Sequence, residues 1–449
     1  MHFATKSVHE QFFTKLLDIR ILVIIMVVAL LIDMEVSNEA HLFYKDIATN
    51  IGMTIFILIS STYLVSQQYV LSYSTKEQRQ YRVGRSSFGI IRKIINILVF
   101  FVTVCFLTII IEILISNYYD TFLLMIVLVA SNAMAIVVMT EMSSKFFTWY
   151  SNRKQPTILI FGAMALTISI TAFFTVLFMG AVLIGQPGKV NADTIVSLPI
   201  IEQGSLISSL NYVYYYMAVS SYVITWAITA LLLKDYVMKV GQFKYWFVLS
   251  LPLIFYLSQL LVTQFGLFIP EDATGNLNFQ VWFLFFYTPS SLIGGILFSI
   301  PFFMIIRKLS ASEPLKNYLR ITAFGLILFF AAGSATVYHT PYPPFGLLTV
   351  AAIGPSAYLI ALGVYYSARI ISRNRTIEIQ LKGSSEYSQF LANIGSAEME
   401  KTMTEIIEEI RKKLPPNEDE TASDIETVDR ELIEYFKEFK ARKRSRNNE

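Results

Sequence analysis

The class of fold is settled by one run, T-I-L-I-F-G-A-M-A-L-T-I-S-I-T-A-F-F-T-V-L-F-M-G-A-V-L-I, at residues 157–184. The run contains no charged side chain. It exceeds the ~20 residues with which an α-helix crosses ~30 Å of hydrocarbon. Its apolar residues are continuous, whereas a strand of a membrane barrel alternates between apolar and polar positions. The run therefore predicts a transmembrane α-helix, which satisfies its own backbone hydrogen bonds in lipid.

Further runs of this kind lie along the whole chain of 449 residues. Hydrophobic residues make up 54% of the chain and charged residues only 15%, which is too little polar surface for a water-soluble protein. The predicted spans are residues 16–34, 50–72, 94–116, 121–143, 157–184, 211–233, 245–269, 279–306, 321–338 and 345–368. The sequence therefore predicts an all-α fold, a polytopic membrane helix bundle with ten transmembrane helices.

The basic residues predict the orientation of the bundle. Residues 1–20 and the segments after every second span hold 23 of the 36 Lys and Arg residues, whereas the alternate loops hold only Lys45 and Lys189. Basic loops stay on the cytoplasmic side of a membrane, so both termini are expected in the cytoplasm. The chain is thus predicted to be a multi-pass protein of the plasma or inner membrane, in contact with the lipid bilayer.

The chain divides into a transmembrane domain, residues 1–372, and a cytoplasmic helical tail, residues 373–449. Apolar residues recur at three- and four-residue spacing along 399–414 and again along 425–439, and each pattern predicts a helix with one apolar face. Such faces pack together, dimerise, or dock on the membrane domain or on a partner. We expect a protein partner or self-association through residues 384–445. No specific nucleic acid is expected, because no nucleic-acid-binding module accompanies the basic end of the tail.

The sequence lacks the residue sets of common enzymes. One cysteine, Cys105, and four scattered histidines predict neither a disulfide framework nor a multi-residue metal centre. The patterns G-x-x-x-x-G-K-[ST], H-E-x-x-H and G-x-S-x-G are absent, so no catalytic residue, metal or cofactor is predicted and an enzyme is disfavoured. An enzyme hypothesis rests only on Asp33 and Glu35. They fall in the predicted first outer loop, where lipid-linked glycosyltransferases of the multi-span type keep a catalytic acid.

Polar groups inside the predicted spans mark the candidate ligand or pathway residues. Their burial in hydrocarbon is costly, so each one is either paired across helices or functional. The candidates are Glu112, Asn132, Gln259, Ser290 and, just beyond the ninth span, His339. A polar cavity near Asn132, Gln259 and Ser290 would favour a solute pathway, whereas a tightly packed bundle would count against it.

The connection between the last two predicted spans reads H-T-P-Y-P-P-F-G, residues 339–346. Proline fixes its own φ and restricts the residue before it, so the stretch predicts a rigid structural turn that opens the last helix. The turn is assigned to Pro341, Pro343, Pro344 and Gly346. We expect the Tyr342–Pro343 bond to be trans, the commoner isomer. His339 is either a residue of this corner only or a pH-responsive partner of Glu112 or another outer acid.

Two stretches flank the last span: P-Y-P-P-F-G-L-L-T-V at 341–350 and I-G-S-A-E-M-E-K at 394–401. Together they resemble uncharacterised multi-span membrane proteins of archaea, in which a similar proline-rich turn precedes the final helix and a cytoplasmic helical tail follows. The resemblance covers about residues 340–401. It implies membership of a ten-helix membrane group, without an activity or site residues.

Three functions follow in order of preference. The first is a receptor-like, sensory or assembly module, in which the membrane domain binds something and the tail engages a partner. A sparse polar interior, the lack of a catalytic set and the unfilled apolar faces of the tail favour it. The alternative is a facilitator or secondary transporter of a small solute. The third is a membrane-embedded transferase that uses Asp33 and Glu35.

Overall fold

A computed structural model of the chain describes residues 19–43, 49–80, 87–193, 204–265, 289–309, 313–333, 341–382 and 386–413. Within those residues the chain is almost entirely helical. The helices are α1 (Ile19–Phe43), α2 (Thr49–Gln80), α3 (Ser87–Ser116), α4 (Thr121–Arg153), α5 (Pro156–Ile184), α6 (Leu206–Leu233), α7 (Val237–Val240), α8 (Gln242–Phe265), α9 (Ser290–Lys308), α10 (Glu313–Ala332), α11 (Leu347–Arg373), α12 (Arg375–Lys382) and α13 (Glu386–Lys413).

The prediction of a polytopic helical membrane protein is confirmed at the level of its helices. The described residues contain 8 segments long and apolar enough to cross a membrane, which lie in α2 to α6 and α9 to α11. Large apolar side chains such as Leu58, Val65 and Phe100 are exposed on α2 and α3, as expected of a surface that lipid covers. The first and seventh predicted spans form the helices α1 and α8, which are not among the 8, so the number ten and the orientation stay predictions.

Two short strands form a ribbon at one end of the otherwise helical bundle. β1 (Tyr118–Asp120) and β2 (Lys189–Asn191) pair antiparallel. Asp120 also caps α4, because its carboxylate accepts a hydrogen bond from the main-chain N–H of Phe122 at 2.8 Å. The ribbon thus joins the α3–α4 connection to the segment after α5. We call this end, which also carries Pro341–Gly346, the turn end, and the opposite end the tail end.

Helix α11 is the central helix of the bundle. Of its candidate membrane segment, 94% is buried inside the protein, and α10 and α4 pack along it. Glycines permit the close approach: a Cβ at Gly363 would collide with the main-chain oxygen of Tyr318 on α10, and one at Gly354 with that of Ser131 on α4. Small residues at helix crossings are the usual means of association in membranes.

The backbone ladder of α11 is interrupted in its first half, at Pro355. Proline has no N–H, so the carbonyl of Ala351, four residues earlier, lacks a donor within the helix. The Ser131 hydroxyl of α4 lies 2.8 Å from the Val350 oxygen and 3.2 Å from the Ala351 oxygen, and it accepts a hydrogen bond from the Gly354 N–H at 3.1 Å. One side chain of α4 therefore occupies the gap in α11 and ties the two helices together.

The first part of the tail packs on the tail end of the bundle. Helix α13 contacts α11 and α4, and the buried Glu398 carboxylate accepts a hydrogen bond from the Trp149 indole Nε1–H at 3.0 Å. The Phe390 ring stacks on Phe161 of α5 with centroids 4.3 Å apart. Of the alternatives left open by the sequence, docking on the membrane domain is the one found for α13. The second predicted tail helix, 425–439, lies outside the described residues.

Candidate functional site

The turn end holds a buried carboxylate at the start of the central helix. Asp33 lies on α1 and not in an outer loop, so the placement of Asp33 and Glu35 in a loop was wrong. Helix α1 continues past its apolar run to Phe43, and this continuation brings the fully buried Asp33 to the N-terminus of α11. Its carboxylate accepts hydrogen bonds from the main-chain N–H groups of Gly346 and Thr349, both at 3.0 Å, and from the Thr349 hydroxyl at 2.7 Å.

This carboxylate acts as the cap of α11. The first N–H groups of a helix have no partner within it, and the capping position of α11 is Gly346, which has no side chain to offer. Asp33 supplies the acceptors from another helix, and its charge lies at the positive end of the α11 dipole. With both oxygens engaged, the transferase hypothesis loses the first of its two carboxylates.

The turn itself is packed into the protein. All six residues from Pro341 to Gly346 are buried, and the Tyr119 hydroxyl donates to the carbonyl of Pro341 at 2.8 Å. The Tyr342 ring stacks on Tyr119 with centroids 6.4 Å apart. The Tyr342–Pro343 bond is cis, so the expectation of a trans bond was wrong. The two isomers of such a bond lie close in free energy, and tertiary contacts choose between them. His339 lies outside the described residues.

Glu112 lies near the end of α3, where its side chain contacts the ribbon. Its Oε2 accepts a hydrogen bond from the Asp120 main-chain N–H at 3.1 Å, near the end of α3 at Ser116. The contact fixes the turn between α3 and α4. Glu112 is thus placed apart from Asn132, which lies on the next helix about three turns further from this end.

A cavity of about 70 Å³ lies between the helices in the turn-end half of the bundle. Seven helices contribute to its wall, among them the central helix α11 through Val350 and Ile353. Its polar lining is provided by Asn132 on α4, Thr171 and Thr175 on α5, Ser221 on α6 and Ser291 on α9. Three tyrosines complete it: Tyr214, Tyr222 and Tyr256. The membrane domain is therefore not a tightly packed, dry bundle in this region.

Asn132 is a polar residue of the wall whose side-chain oxygen lacks a hydrogen-bond partner among the described residues. It is 1% exposed to the outside, and its Nδ2 donates to the carbonyl of Leu128 at 2.9 Å. That carbonyl can only accept, so the atom facing it is the amide nitrogen and the other is the oxygen. Asn132 Oδ1 has no hydrogen-bond partner among the described residues. A buried oxygen in this state is costly, by about 1–3 kcal/mol, and it belongs to a residue that lines the cavity.

Most hydroxyl groups of the wall donate their hydrogen bond to a main-chain carbonyl. Thr171 donates to the Thr167 carbonyl at 2.8 Å, and Ser221 to that of Ala218 at 3.0 Å. The same pattern continues along the wall: Thr175 donates to Thr171, Tyr222 to Pro252 and Ser291 to Phe330, at 2.8, 3.2 and 2.7 Å. What these groups still offer is lone pairs. The polar side of the cavity is therefore rich in acceptors.

A second, smaller cavity lies nearer the tail end. It measures about 20 Å³ and is lined mainly by apolar side chains, Phe161 and Phe298 among them. The rings of Tyr222, Phe298 and Phe330 meet between the two cavities, with centroids 4.8–5.8 Å apart and interplanar angles of 67–88°. This aromatic cluster separates the two spaces along one seam of the bundle.

The remaining candidates flank the cavity. Ser290 is buried as the first residue of α9, and the next residue, Ser291, lines the wall. Gln259 lies on α8 one turn after Tyr256, and its side chain is not among those described. No group of three or more Cys, His, Asp and Glu side chains capable of holding a metal occurs in the described part of the chain.

Sequence reasoning missed the tyrosines of the wall. Tyr212 and Tyr216 are half or more exposed, as is common for tyrosines at a membrane interface, whereas Tyr214 is buried. The available signal was the helical spacing of Tyr214, Ala218, Ser221 and Tyr222, which places small, hydroxyl-bearing and aromatic side chains on one face. Comparisons with protein families, with curated proteins and with solved structures found no match to this chain.

Proposed function

We propose that the protein is a receptor-like module of a cell membrane, which binds a small solute in the Asn132 cavity and couples its occupancy to the cytoplasmic tail. One observation carries the proposal: the central helix, α11, forms part of the cavity wall and also part of the surface on which the tail packs. Val350 and Ile353 of α11 line the cavity. Gly395 of α13 lies against Ile371, near the other end of α11.

The route between the two sites is made of short, specific contacts. Ser131, the neighbour of Asn132, sits in the gap of the α11 ladder, so a ligand at Asn132 acts beside the point where α11 is least regular. Side chains inserted into the ladder are among the causes of helix bends. A change in the curvature of α11 at this point would move its tail-end half, and α13 with it.

The orientation of the bundle belongs to the same proposal. Ten spans with both termini in the cytoplasm would place the turn end outside and α13 inside, in agreement with the distribution of Lys and Arg. A solute from outside would then be sensed on one side and reported on the other. The tail would engage a partner or a second copy through residues 384–445. Membership of the archaeal multi-span group likewise stays a prediction.

Distances between spin labels in the full-length chain test the coupling. In a Cys105→Ala background, Ser144→Cys on α4 and Thr402→Cys on α13 place two labels on exposed positions of the tail end. In nanodiscs, a solute that binds should shift or broaden the distance distribution measured by double electron–electron resonance. The matched control pair, Ser144→Cys with the exposed Asn96→Cys on α3, is expected to change less, because no residue of α3 lines the cavity. A saturable binding curve with an unchanged α4–α13 distribution would refute the receptor proposal.

A second candidate is a facilitator of small solutes, favoured by the two cavities on one seam. Phe298 lines one cavity and contacts Tyr222 and Phe330, which line the other, and no charged side chain lines either cavity among the described residues. An ion-coupled transporter normally carries a buried ionisable group on its pathway. The arrangement suits passive movement of a neutral solute better.

Flux measurements separate the two candidates. Phe298→Ala removes the ring that divides the cavities, and Phe303→Ala removes a ring from the same helix that lines neither. In proteoliposomes, a facilitator predicts urea flux above that of empty vesicles for the wild type, and faster flux for Phe298→Ala but not for Phe303→Ala. Flux equal to empty vesicles in all three proteins would exclude the facilitator for this solute.

A further inference from the structure

We propose that the Asn132 cavity takes a small, uncharged solute that donates hydrogen bonds, of the carboxamide or urea class. This inference rests on the proposed function, because it names the ligand of the same cavity. Its support comes from the direction of the hydrogen bonds in the wall, the absence of charge and the size of the space.

The ligand must donate because the wall mainly accepts. Asn132 lines the cavity, and its buried Oδ1 has no hydrogen-bond partner among the described residues. Five hydroxyl groups of the wall already direct their protons to main-chain carbonyls. A ligand without an N–H or O–H group would leave the amide oxygen unsatisfied. Tyr214 and Tyr256 add two further hydroxyls, each able to donate to a carbonyl oxygen of the ligand.

The ligand must be uncharged because nothing in the described wall compensates a charge. The lining residues include no Asp, Glu, Lys, Arg or His. An ion that enters this space leaves its water behind and meets no counter-ion. Aromatic faces attract cations, yet the stacked pair Tyr222 and Tyr256, with centroids 3.9 Å apart, turns one face of each ring toward the other. A neutral donor avoids this desolvation cost.

The space limits the ligand to a few atoms. About 10–15 Å³ of such volume holds one water molecule, so 70 Å³ holds roughly five water-sized groups. Acetamide and urea have four non-hydrogen atoms each. Both therefore fit the space by size.

Ligand-observed NMR titrations of the full-length protein in nanodiscs test this class. Acetamide and acetone have the same size and shape, but only acetamide donates. Because one neutral hydrogen bond in a buried site changes affinity by about two- to tenfold, acetamide is expected to bind about five times more tightly than acetone. Asn132→Leu is expected to bring the ratio close to one. The control Thr167→Val, on α5 outside the cavity wall, is expected to keep it.

Each contrary result has a distinct meaning. Equal binding of acetamide and acetone to the wild type, or tighter binding of methylammonium than of acetamide, overturns the ligand class. If Val350→Phe, which fills the cavity, abolishes the binding of whichever probe binds the wild type, the cavity is still the ligand site and the proposed function stands. If no probe binds the wild type, the proposed function fails together with this inference. The wild-type ratio decides the class even where Asn132→Leu does not fold, and Asn132→Thr then repeats the test with a smaller change.

Discussion

Replacing Asp33 by alanine is expected to destabilise the start of the central helix. The change removes the acceptor of two buried main-chain N–H groups, those of Gly346 and Thr349. A hydrogen bond to a charged group contributes about 1.5–3 kcal/mol, so the two together contribute roughly 3–6 kcal/mol. Removing a buried charge returns part of this, because desolvation opposes the burial of a carboxylate. We expect a net loss of about 2–4 kcal/mol in the free energy of unfolding.

The single cysteine of the chain provides the assay. Cys105 is buried on α3, so a thiol-reactive fluorophore labels it only as the protein opens, and labelling against temperature gives an unfolding midpoint. The midpoint of Asp33→Ala is expected to fall by several degrees, since one kcal/mol shifts a domain of 150–250 residues by about 2–4 °C. Asp33→Asn is expected to lower the unfolding midpoint by most of the same amount, because its amide nitrogen would face an N–H donor.

A matched variant separates this cap from caps in general. Asp120→Ala removes the cap of α4, a single hydrogen bond to Phe122 in a partly exposed site. Its loss is expected at the lower end of the ~0.5–2 kcal/mol of ordinary caps. If Asp33→Ala unfolds no earlier than Asp120→Ala, the reasoning that assigns Asp33 to the capping of α11 is refuted.

Further predictions concern packing and the tail. Gly363→Ala is expected to cost more than 1 kcal/mol by collision with α10, whereas Gly180→Ala, where a Cβ meets nothing within 4 Å, is expected to be neutral or stabilising by up to ~1 kcal/mol. Glu398→Ala and Trp149→Phe each lose the same buried hydrogen bond. A double-mutant cycle, in which the proteolysis of α13 is measured, should therefore give a coupling energy of about 0.5–3 kcal/mol. Additive losses would show that the bond does not hold α13. Ser131→Ala removes the hydroxyl that contacts the Val350 and Ala351 carbonyls and the Gly354 N–H. It is expected to lower the Cys105 midpoint by an amount equivalent to about 1–3 kcal/mol; an unchanged midpoint would contradict the account of the gap in α11.

The helices of the membrane domain were predictable because lipid leaves the backbone few choices. A long uncharged run such as 157–184 forms a helix since no other spanning structure satisfies its N–H and C=O groups. The ends of the helices were less predictable. Helix α1 runs nine residues beyond the expected end at residue 34, because a polar continuation is set by what it contacts and not by hydropathy.

The candidate site was predicted only through its least typical residue. Asn132 stood out because a deep amide is costly in lipid, and it does line the cavity. Its partners in the wall come from helices far apart in sequence, and hydroxyl-bearing and aromatic side chains are common in spans. The role of Asp33 was misjudged for a related reason. Its acidity is visible in the sequence, but its contact with Thr349, more than three hundred positions along the chain, is not.

The central claim, that α11 transmits a change from the turn end to the tail, can be tested without knowing the ligand. Hydrogen–deuterium exchange of residues 386–413 is measured in nanodiscs for the wild type, for Asp33→Ala and for Trp226→Phe, which loses a 2.8 Å bond between α6 and α8. Loosening α11 at its start is expected to speed exchange in α13 for Asp33→Ala, while Trp226→Phe leaves α13 at the wild-type rate. Unchanged exchange in Asp33→Ala, or equal acceleration in both variants, would contradict the claim.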